Sequence, residues 1–274
     1  MRRKYLVAVL GMAASLTASS GFAQVASSPS TEHAQVSLPT PPRAEAPPAE
    51  ASADQLERRG DELSSQKAYF DALDYYKAAL AKSKDKSVLY NKVGMAHLQL
   101  QHFKDAKKNF EKSAKLDKTY AAAYNNIGVI EYFVERKYPA SIKHYEKAIK
   151  LRPDMASYYS NLGAAYFAEK DFGKGTIAYS QALKLDPDVF ERVSRTGISA
   201  QLSSPEDRAR FEYELAKLYA KAGMTDRCLK SLRRAMEDGF PEIKSVYEDS
   251  DFAVLRKDPR FTELMASKPV SLQD

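Results

Sequence analysis

Histidine, cysteine and paired carboxylates are the side chains with which this chain of 274 residues could bind a metal or catalyse a reaction. The four histidines form no His-Glu-x-x-His motif, and one cysteine cannot build a cysteine-rich zinc site. Glu206 and Asp207 follow Ser204-Pro205, an order typical of a helix start. The spacing therefore predicts no catalytic residue, no metal site and no cofactor. The histidines and the cysteine are His33, His97, His102, His144 and Cys228.

The charge distribution argues against a nucleic-acid partner. The chain has 42 basic and 36 acidic residues, a formal net charge of +6. Three of the basic residues belong to a predicted signal peptide, so 39 basic and 36 acidic residues would remain, a net charge of +3. The two signs alternate along the chain and form no basic block, whereas nucleic-acid binders concentrate positive charge.

Residues 1–23 have the three parts of a secretory signal peptide. Arg2, Arg3 and Lys4 precede an apolar stretch of 14 residues, and small residues at Gly21 and Ala23 suit cleavage after Ala23. The stretch is short for a membrane span, which needs about 20 apolar residues. The only cysteine is far from this point, so no lipobox exists. We expect a periplasmic or secreted protein, with contact to a membrane only through an uncleaved signal.

Residues 24–52 differ in composition from the rest of the chain. A segment rich in proline, alanine, serine and threonine cannot bury enough apolar surface to offset the conformational entropy that it would lose on ordering. We predict a disordered linker, with a ligand for a proline-binding partner as the alternative. The prolines are Pro29, Pro39, Pro41, Pro42, Pro47 and Pro48.

Four glycines, Gly60, Gly94, Gly128 and Gly163, recur at separations of 34, 34 and 35 residues. The words around them also recur, as Tyr-Asn-Lys-Val-Gly, Tyr-Asn-Asn-Ile-Gly and Tyr-Ser-Asn-Leu-Gly. A period of about 34 residues indicates helix pairs that must stack on neighbours to bury their apolar faces. Glycines this far apart form no phosphate-binding loop.

Other residue types also recur at fixed positions when each glycine is placed at the eighth position of its repeat. Small residues occupy the twentieth position and aromatic residues the twenty-fourth, if one residue is inserted near Tyr138-Pro139. This pattern resembles the tetratricopeptide repeat family. The resemblance implies an all-α, right-handed superhelical solenoid of antiparallel helix pairs, with repeats 1 to 4 in residues 53–189. The two columns are Ala72, Ala106, Ser141 and Gly175, and Tyr76, Phe110, Tyr145 and Tyr179.

The remaining chain continues the pattern after an interruption. Residues 190–208 are predicted to be a connector, 209–240 a fifth repeat, and 241–274 capping helices and a tail. In the fifth repeat Cys228 takes the small-residue position, which favours a buried packing thiol over a nucleophile. The tail resembles the closing segment of exported bacterial tetratricopeptide proteins, in which apolar residues cover the last repeat. The expected covering residues are Phe252, Leu255, Phe261 and Leu264.

The resemblance also implies a concave groove lined by the first helix of each repeat. The groove would be apolar and aromatic, with exposed asparagine amides that pair with the backbone of a bound peptide. The alternative for its aromatic residues is that they pack in the core. Glu57 and Asp61 occupy positions where some relatives bind a terminal carboxylate, so such a ligand would be repelled. The predicted partner-binding residues are Asn91, Met95, Asn125, Asn126, Tyr132, Phe133, Asn161 and Phe167.

The function implied by the resemblance is that of a non-enzymatic adaptor or scaffold in the bacterial periplasm or cell envelope. It would bind an unidentified protein or peptide in the groove. The alternative is an envelope-assembly or glycan-binding structural subunit, because tyrosine and phenylalanine could stack on sugar rings. The absence of tryptophan weakens that alternative.

Overall fold

The computed structural model describes residues 46–192 and 204–267. The predicted signal peptide, most of the predicted linker, the middle of the connector and the end of the tail lie outside these ranges. All regular elements in the described ranges are helical. The α-helices are α1 Ala53–Ser65, α2 Tyr69–Lys82, α3 Ser87–Gln99, α4 Phe103–Leu116, α5 Ala121–Phe133, α6 Tyr138–Leu151, α7 Ala156–Ala168, α8 Phe172–Leu185, α9 Val189–Arg192, α10 Pro205–Lys221, α11 Thr225–Glu237 and α12 Pro259–Ala266.

The first eight helices form four antiparallel pairs in chain order, each packed on the next, as the repeat pattern predicts. The first helix of each pair has 13 residues and the second has 14. Three residues separate the helices of a pair, except that four separate α5 from α6. The predicted insertion near Tyr138-Pro139 is therefore confirmed. Helices α10 and α11 form the fifth pair, and α10 packs on α8.

Each pair turns through one residue in the left-handed region after its first helix. In the fifth pair this residue is Gly223, with φ of 69°, but Lys67, Gln101, Arg136 and Lys170 adopt φ between 53° and 63°. A left-handed residue directly after a helix allows the next amides to bond back to the last carbonyl groups. Four of the turns close with a backbone hydrogen bond over five residues, and the longer turn between α5 and α6 closes with one over six, from Lys137 to Glu131. Glycine is used in only one of the five pairs.

The helix start expected at Ser204 is confirmed. Its side chain accepts a hydrogen bond from the backbone N–H of Asp207, and Pro205 occupies the first turn of α10. Acidic residues in that turn interact favourably with the positive end of the helix dipole.

Three short 3₁₀ segments and α12 follow the fifth pair and complete its apolar core. The segments are Ile243–Tyr247, Ser250–Phe252 and Leu255–Lys257. They join one buried cluster with Leu215, Cys228 and Leu232 of the fifth pair. The residues expected to cover the last repeat are all buried in this cluster, namely Phe252, Leu255, Phe261 and Leu264.

Candidate functional site

The first helices of the repeats meet along one face of the array, which we call the inner face. Helix α3 is joined to α1 there, because the ammonium of Lys92 lies 2.6 Å from Glu57 and 2.7 Å from Asp61. Helix α5 contacts α7 directly. The inner face therefore brings the fifth, sixth and ninth positions of successive repeats together, as expected of a groove in this family.

Four asparagines form a hydrogen-bonded chain across the inner face, which we call the asparagine network. Asn161 donates to Asn125 at 2.8 Å, and Asn125 donates to Asn126 at 3.2 Å. Asn126 in turn donates to Asn91 at 2.9 Å and approaches the sulfur of Met95 at 3.5 Å. The network therefore links α7, α5 and α3, and each inter-repeat bond joins residues 35 or 36 positions apart.

The asparagine network is more buried than the sequence suggests. We expected exposed amides, but relative exposure is 1% for Asn125 and 6–8% for Asn91, Asn126 and Asn161. The reason is that the amides pair with each other between neighbouring first helices, α5 with α3 and α7 with α5. These side chains therefore support the stacking of repeats, whatever else they do.

The two ends of the asparagine network differ in hydrogen-bonding character. Within the described ranges, no protein group is hydrogen-bonded to Nδ2 of Asn91 or to Oδ1 of Asn161. Neither atom is fully buried. Because an asparagine has both donor and acceptor groups, the network offers a donor at its α3 end and an acceptor at its α7 end.

The remaining predicted partner-binding residues divide by burial. Met95 and Phe133 are partly exposed, whereas Tyr132 is 1% and Phe167 0% exposed. The Phe167 ring lies 5.1 Å from that of Phe211 and 5.2 Å from that of Tyr179, at the joint between the fourth and fifth pairs. Tyr132 and Phe167 are thus core residues, the alternative left open by the sequence. Binding of a partner by any of the eight residues stays a prediction.

The acidic end of the inner face has a counterion that the sequence did not reveal. Lys92 is held between Glu57 and Asp61, and the hydroxyl of Tyr76 donates to Asp61 at 3.0 Å. Burial, followed by the charge of Asp61, raises the pKa of Tyr76. The single charge of Lys92 therefore balances one of the two carboxylate charges within the protein. A sequence signal existed, since Lys92 is 35 residues after Glu57, one repeat further along.

A second polar cluster connects α4, α5 and α6. Nδ1 of His144 lies 2.7 Å from the buried carboxylate of Glu131, and the ammonium of Lys107 lies 3.3 Å from it. Lys107 also pairs with Glu135 at 2.9 Å. Burial raises the pKa of Glu131, but the hydrogen bond and charge of His144, aided by Lys107, outweigh it and the net pKa is lowered. His144 and Lys107 therefore compensate for the burial of this carboxylate.

Within residues 46–192 and 204–267, no group of three or more histidine, cysteine, aspartate or glutamate side chains is arranged to hold a metal ion. Cys228 is fully buried, and this burial raises its pKa to about 12. The thiolate, which is the nucleophilic form, is therefore scarce at neutral pH. No helix in the same ranges is long and apolar enough to span a membrane.

Stacked helix pairs with a regular period define a helical-repeat solenoid. Family models agree on the kind of repeat: residues 88–120 and 156–189 match models of the tetratricopeptide repeat, and residues 131–169 match a model described as TPR repeat. The chain is a tetratricopeptide repeat protein. No curated protein is a significant match to it.

Several solved structures are similar to this chain at low sequence identity. A thermophilic TPR protein of Thermus thermophilus is 18% identical to this chain, with a TM-score of 0.48. The match covers 79% of this chain and 100% of that protein's chain. MamA of Desulfovibrio magneticus RS-1 is 18% identical with a TM-score of 0.48, covering 72% and 97%. YrrB, described as a TPR protein with an unusual peptide-binding site, is 17% identical with a TM-score of 0.46, covering 75% and 92%. With TM-scores below 0.5, these likenesses carry no argument about partner or activity.

Proposed function

We propose that this protein is a non-enzymatic adaptor that binds an extended segment of a partner protein on its inner face. The observation that carries the proposal is the asparagine network, whose ends keep a donor at Asn91 and an acceptor at Asn161 that have no hydrogen-bond partner in the described ranges and are not fully buried. An extended peptide has the complementary groups, because each residue other than proline carries one N–H and one C=O. Solenoid repeats commonly use such extended surfaces for binding.

Apolar side chains beside the network would supply the anchoring contacts. Met95 contacts Asn126, and Phe133 packs edge-on against Tyr132 with ring centroids 4.7 Å apart. Both Met95 and Phe133 are partly exposed. Binding energy at such surfaces is concentrated in a few apolar or aromatic anchors that pack in desolvated positions. We infer that Met95 and Phe133 contact side chains of the partner while the asparagines form hydrogen bonds with its backbone.

The site of action that we propose is the bacterial periplasm or cell envelope. The support is the sequence of residues 1–23, with a basic start, a short apolar stretch and small residues before Gln24. Intact mass of the protein recovered from its host tests this step. A chain that begins at Gln24 in the periplasmic fraction is expected, and a chain that begins at Met1 in the membrane fraction would contradict it.

Site-specific photo-crosslinking tests the binding face. A photoreactive amino acid replaces Phe133 on the inner face in one variant and Ile177 in another. Ile177 is the matched control, because it lies on α8, the second helix of its pair, and is 72% exposed. Crosslinked proteins are identified by mass spectrometry after irradiation in the native host. A protein captured from position 133 and not from position 177 is the expected partner.

Charge substitution then tests whether the captured protein depends on the inner face. Met95→Glu and Phe133→Glu should abolish its capture, whereas Ile177→Glu should not. Thermal unfolding of each variant separates loss of binding from loss of fold. Equal capture by all three variants would refute the proposed groove. Capture of cell-wall glycan in place of protein would favour the envelope-subunit alternative.

A further inference from the structure

The turn between α3 and α4 brings two histidines side by side. Gln101 has a φ of 60°, and the backbone N–H of His102 donates to the carbonyl of His97 at 2.9 Å. This six-to-one bond is the mark of a Schellman turn, in which the residue after the left-handed position meets the residue five places earlier. The backbone therefore fixes the two imidazoles as neighbours.

The two imidazoles face each other through the same ring nitrogen. Nδ1 of His97 lies 3.4 Å from Nδ1 of His102, and the ring centroids are 5.6 Å apart. That separation is longer than an ordinary hydrogen bond, which spans about 2.7–3.2 Å. Two nitrogens bound to one tetrahedral ion at about 2.0–2.1 Å would lie roughly 3.3–3.4 Å apart. The pair thus has the separation that a shared metal ion requires.

The turn itself does not require histidine at these positions. The equivalent bond in the first pair runs from Ala68 to Leu63 at 2.9 Å, and in the fifth pair from Met224 to Tyr219 at 2.8 Å. Leu63 and Tyr219 are buried in apolar clusters, and Ala68 and Met224 pack against the same clusters, as is usual for these positions of a Schellman turn. The same bond in the fourth pair runs from Asp171 to Tyr166. The turn therefore forms without histidine in three other pairs, and two metal-binding side chains occur together in the second pair.

The surroundings leave the histidine pair open to a metal ion. His102 is exposed and His97 partly buried, with the ring of Phe70 edge-on to His102 at 6.3 Å. Burial lowers the pKa of His97, and the charges of Lys77 and His102 act in the same direction, against the opposing charge of Asp105. A neutral imidazole is the form that binds metal.

We propose that Nδ1 of His97 and Nδ1 of His102 together bind one divalent transition-metal ion of the class that prefers imidazole, with Zn²⁺ as the probe. Within the described ranges no third ligand completes the set, so water fills the other coordination positions. Zinc keeps such open positions where the protein supplies fewer than four ligands. This site is separate from the inner-face groove and does not depend on the proposed function.

Calorimetric titration of the tag-free protein with zinc chloride at pH 7.5 tests the site. We expect one equivalent of Zn²⁺ to bind. His97→Gln and His102→Gln should each weaken binding by roughly tenfold or more, because two ligands on one scaffold reinforce each other. The matched control is His33→Gln, which removes a histidine from the Pro-rich segment and should leave binding unchanged. Lowering the pH to 5.5 should release the ion, since protonated imidazole does not coordinate.

Thermal unfolding with and without zinc separates a metal site from a purely structural contact. Zinc should raise the melting temperature of the wild type and of His33→Gln, but not that of His97→Gln or His102→Gln. Zinc binding of equal strength in the wild type and in both turn variants would overturn the proposal. Absence of binding by the folded wild type at millimolar zinc would overturn it as well.

Discussion

A Cβ atom added to Gly94 would lie 2.5 Å from Cε1 of Phe110, closer than real Cβ atoms approach other atoms. Phe110 is fully buried, so its ring has no space into which to move. Gly128 has the same relationship to Tyr145, at 2.7 Å. The eighth-position glycine therefore exists to admit the aromatic ring of the twenty-fourth position. In the fifth pair the eighth position is Ala216 and the twenty-fourth is Leu232, and both are fully buried. The eighth residue is thus larger than glycine, and the twenty-fourth is smaller than an aromatic residue.

We predict that Gly94→Ala destabilises the protein although alanine is the better helix former. Overpacking a tight core costs about 1–3 kcal/mol, against a gain of about 1 kcal/mol in helix propensity. Phe110→Leu should relieve the clash, as Leu232 does beside Ala216. Chemical denaturation of the two single variants and the double variant measures this. We expect the double variant to be more stable than the sum of the single effects by at least about 0.5 kcal/mol, whereas strict additivity would refute the steric account.

The helix pairs could be predicted from sequence because their determinants recur locally. A small residue facing an aromatic ring repeats with the period of the fold, and the extra residue near Tyr138 shifts the later columns by one. The reverse turns were less visible, since Lys67, Gln101, Arg136 and Lys170 adopt positive φ without being glycine. The bonds that follow the helix ends stabilise a conformation that these residue types seldom adopt.

The polar contacts between repeats could not be predicted with the same success. Whether an asparagine faces solvent or the next helix depends on a rotation of the helix smaller than one residue step, which a column alignment does not resolve. Asn125 and Asn126 are adjacent in sequence, and yet they pair with α7 and α3 in opposite directions. The partners of Glu131 come from two neighbouring helices, so no single column of the repeat shows that this carboxylate is buried and paired.

Asn125 is the centre of the asparagine network, and we predict that Asn125→Ala destabilises the fold. The substitution removes the acceptor of Asn161 and a donor to Asn126, at a site that is 1% exposed. A buried polar group left without a partner costs about 1–3 kcal/mol. Asn109→Ala is the control, since the hydrogen bond of the Asn109 side chain in the described part of the chain goes to a carbonyl of its own helix. Similar melting temperatures for the two variants would show that the network contributes nothing to repeat stacking.

The segment after Gly239 is predicted to protect the fifth pair. Truncation before Glu242 removes five buried apolar side chains and the ion pair of Lys217 with Asp249 at 2.8 Å. Each such side chain contributes about 1.5–3 kcal/mol by burial, so the melting temperature should fall by roughly 10 °C or more and the protein should associate. Deletion of residues 24–45 is the control and should change neither property. The deletion stops there because Lys82 donates to the carbonyl of Ala49.

The Glu131 cluster predicts a defined pH dependence of stability. The net pKa of Glu131 is lowered in the folded protein, since His144 and Lys107 outweigh burial. A lowered carboxyl pKa contributes stability that is fully present above the unfolded value, about 4.3, and is lost as pH falls through the folded pKa. Glu131→Gln should therefore cost about 1–3 kcal/mol near pH 6, and the difference from wild type should shrink below about pH 4.

Denaturation of wild type and Glu131→Gln at intervals from pH 6 to pH 3 measures this difference directly. The control is Glu111→Gln on α4, where the exposed carboxylate has no ion pair within the described ranges. The difference in free energy of unfolding between this control and the wild type should be the same at every pH. If the free energy of unfolding of Glu131→Gln also differs from that of the wild type by the same amount at every pH, the carboxylate titrates as it does in the unfolded chain. In that case His144 and Lys107 do not stabilise its charge, and α4, α5 and α6 are held together by apolar packing alone.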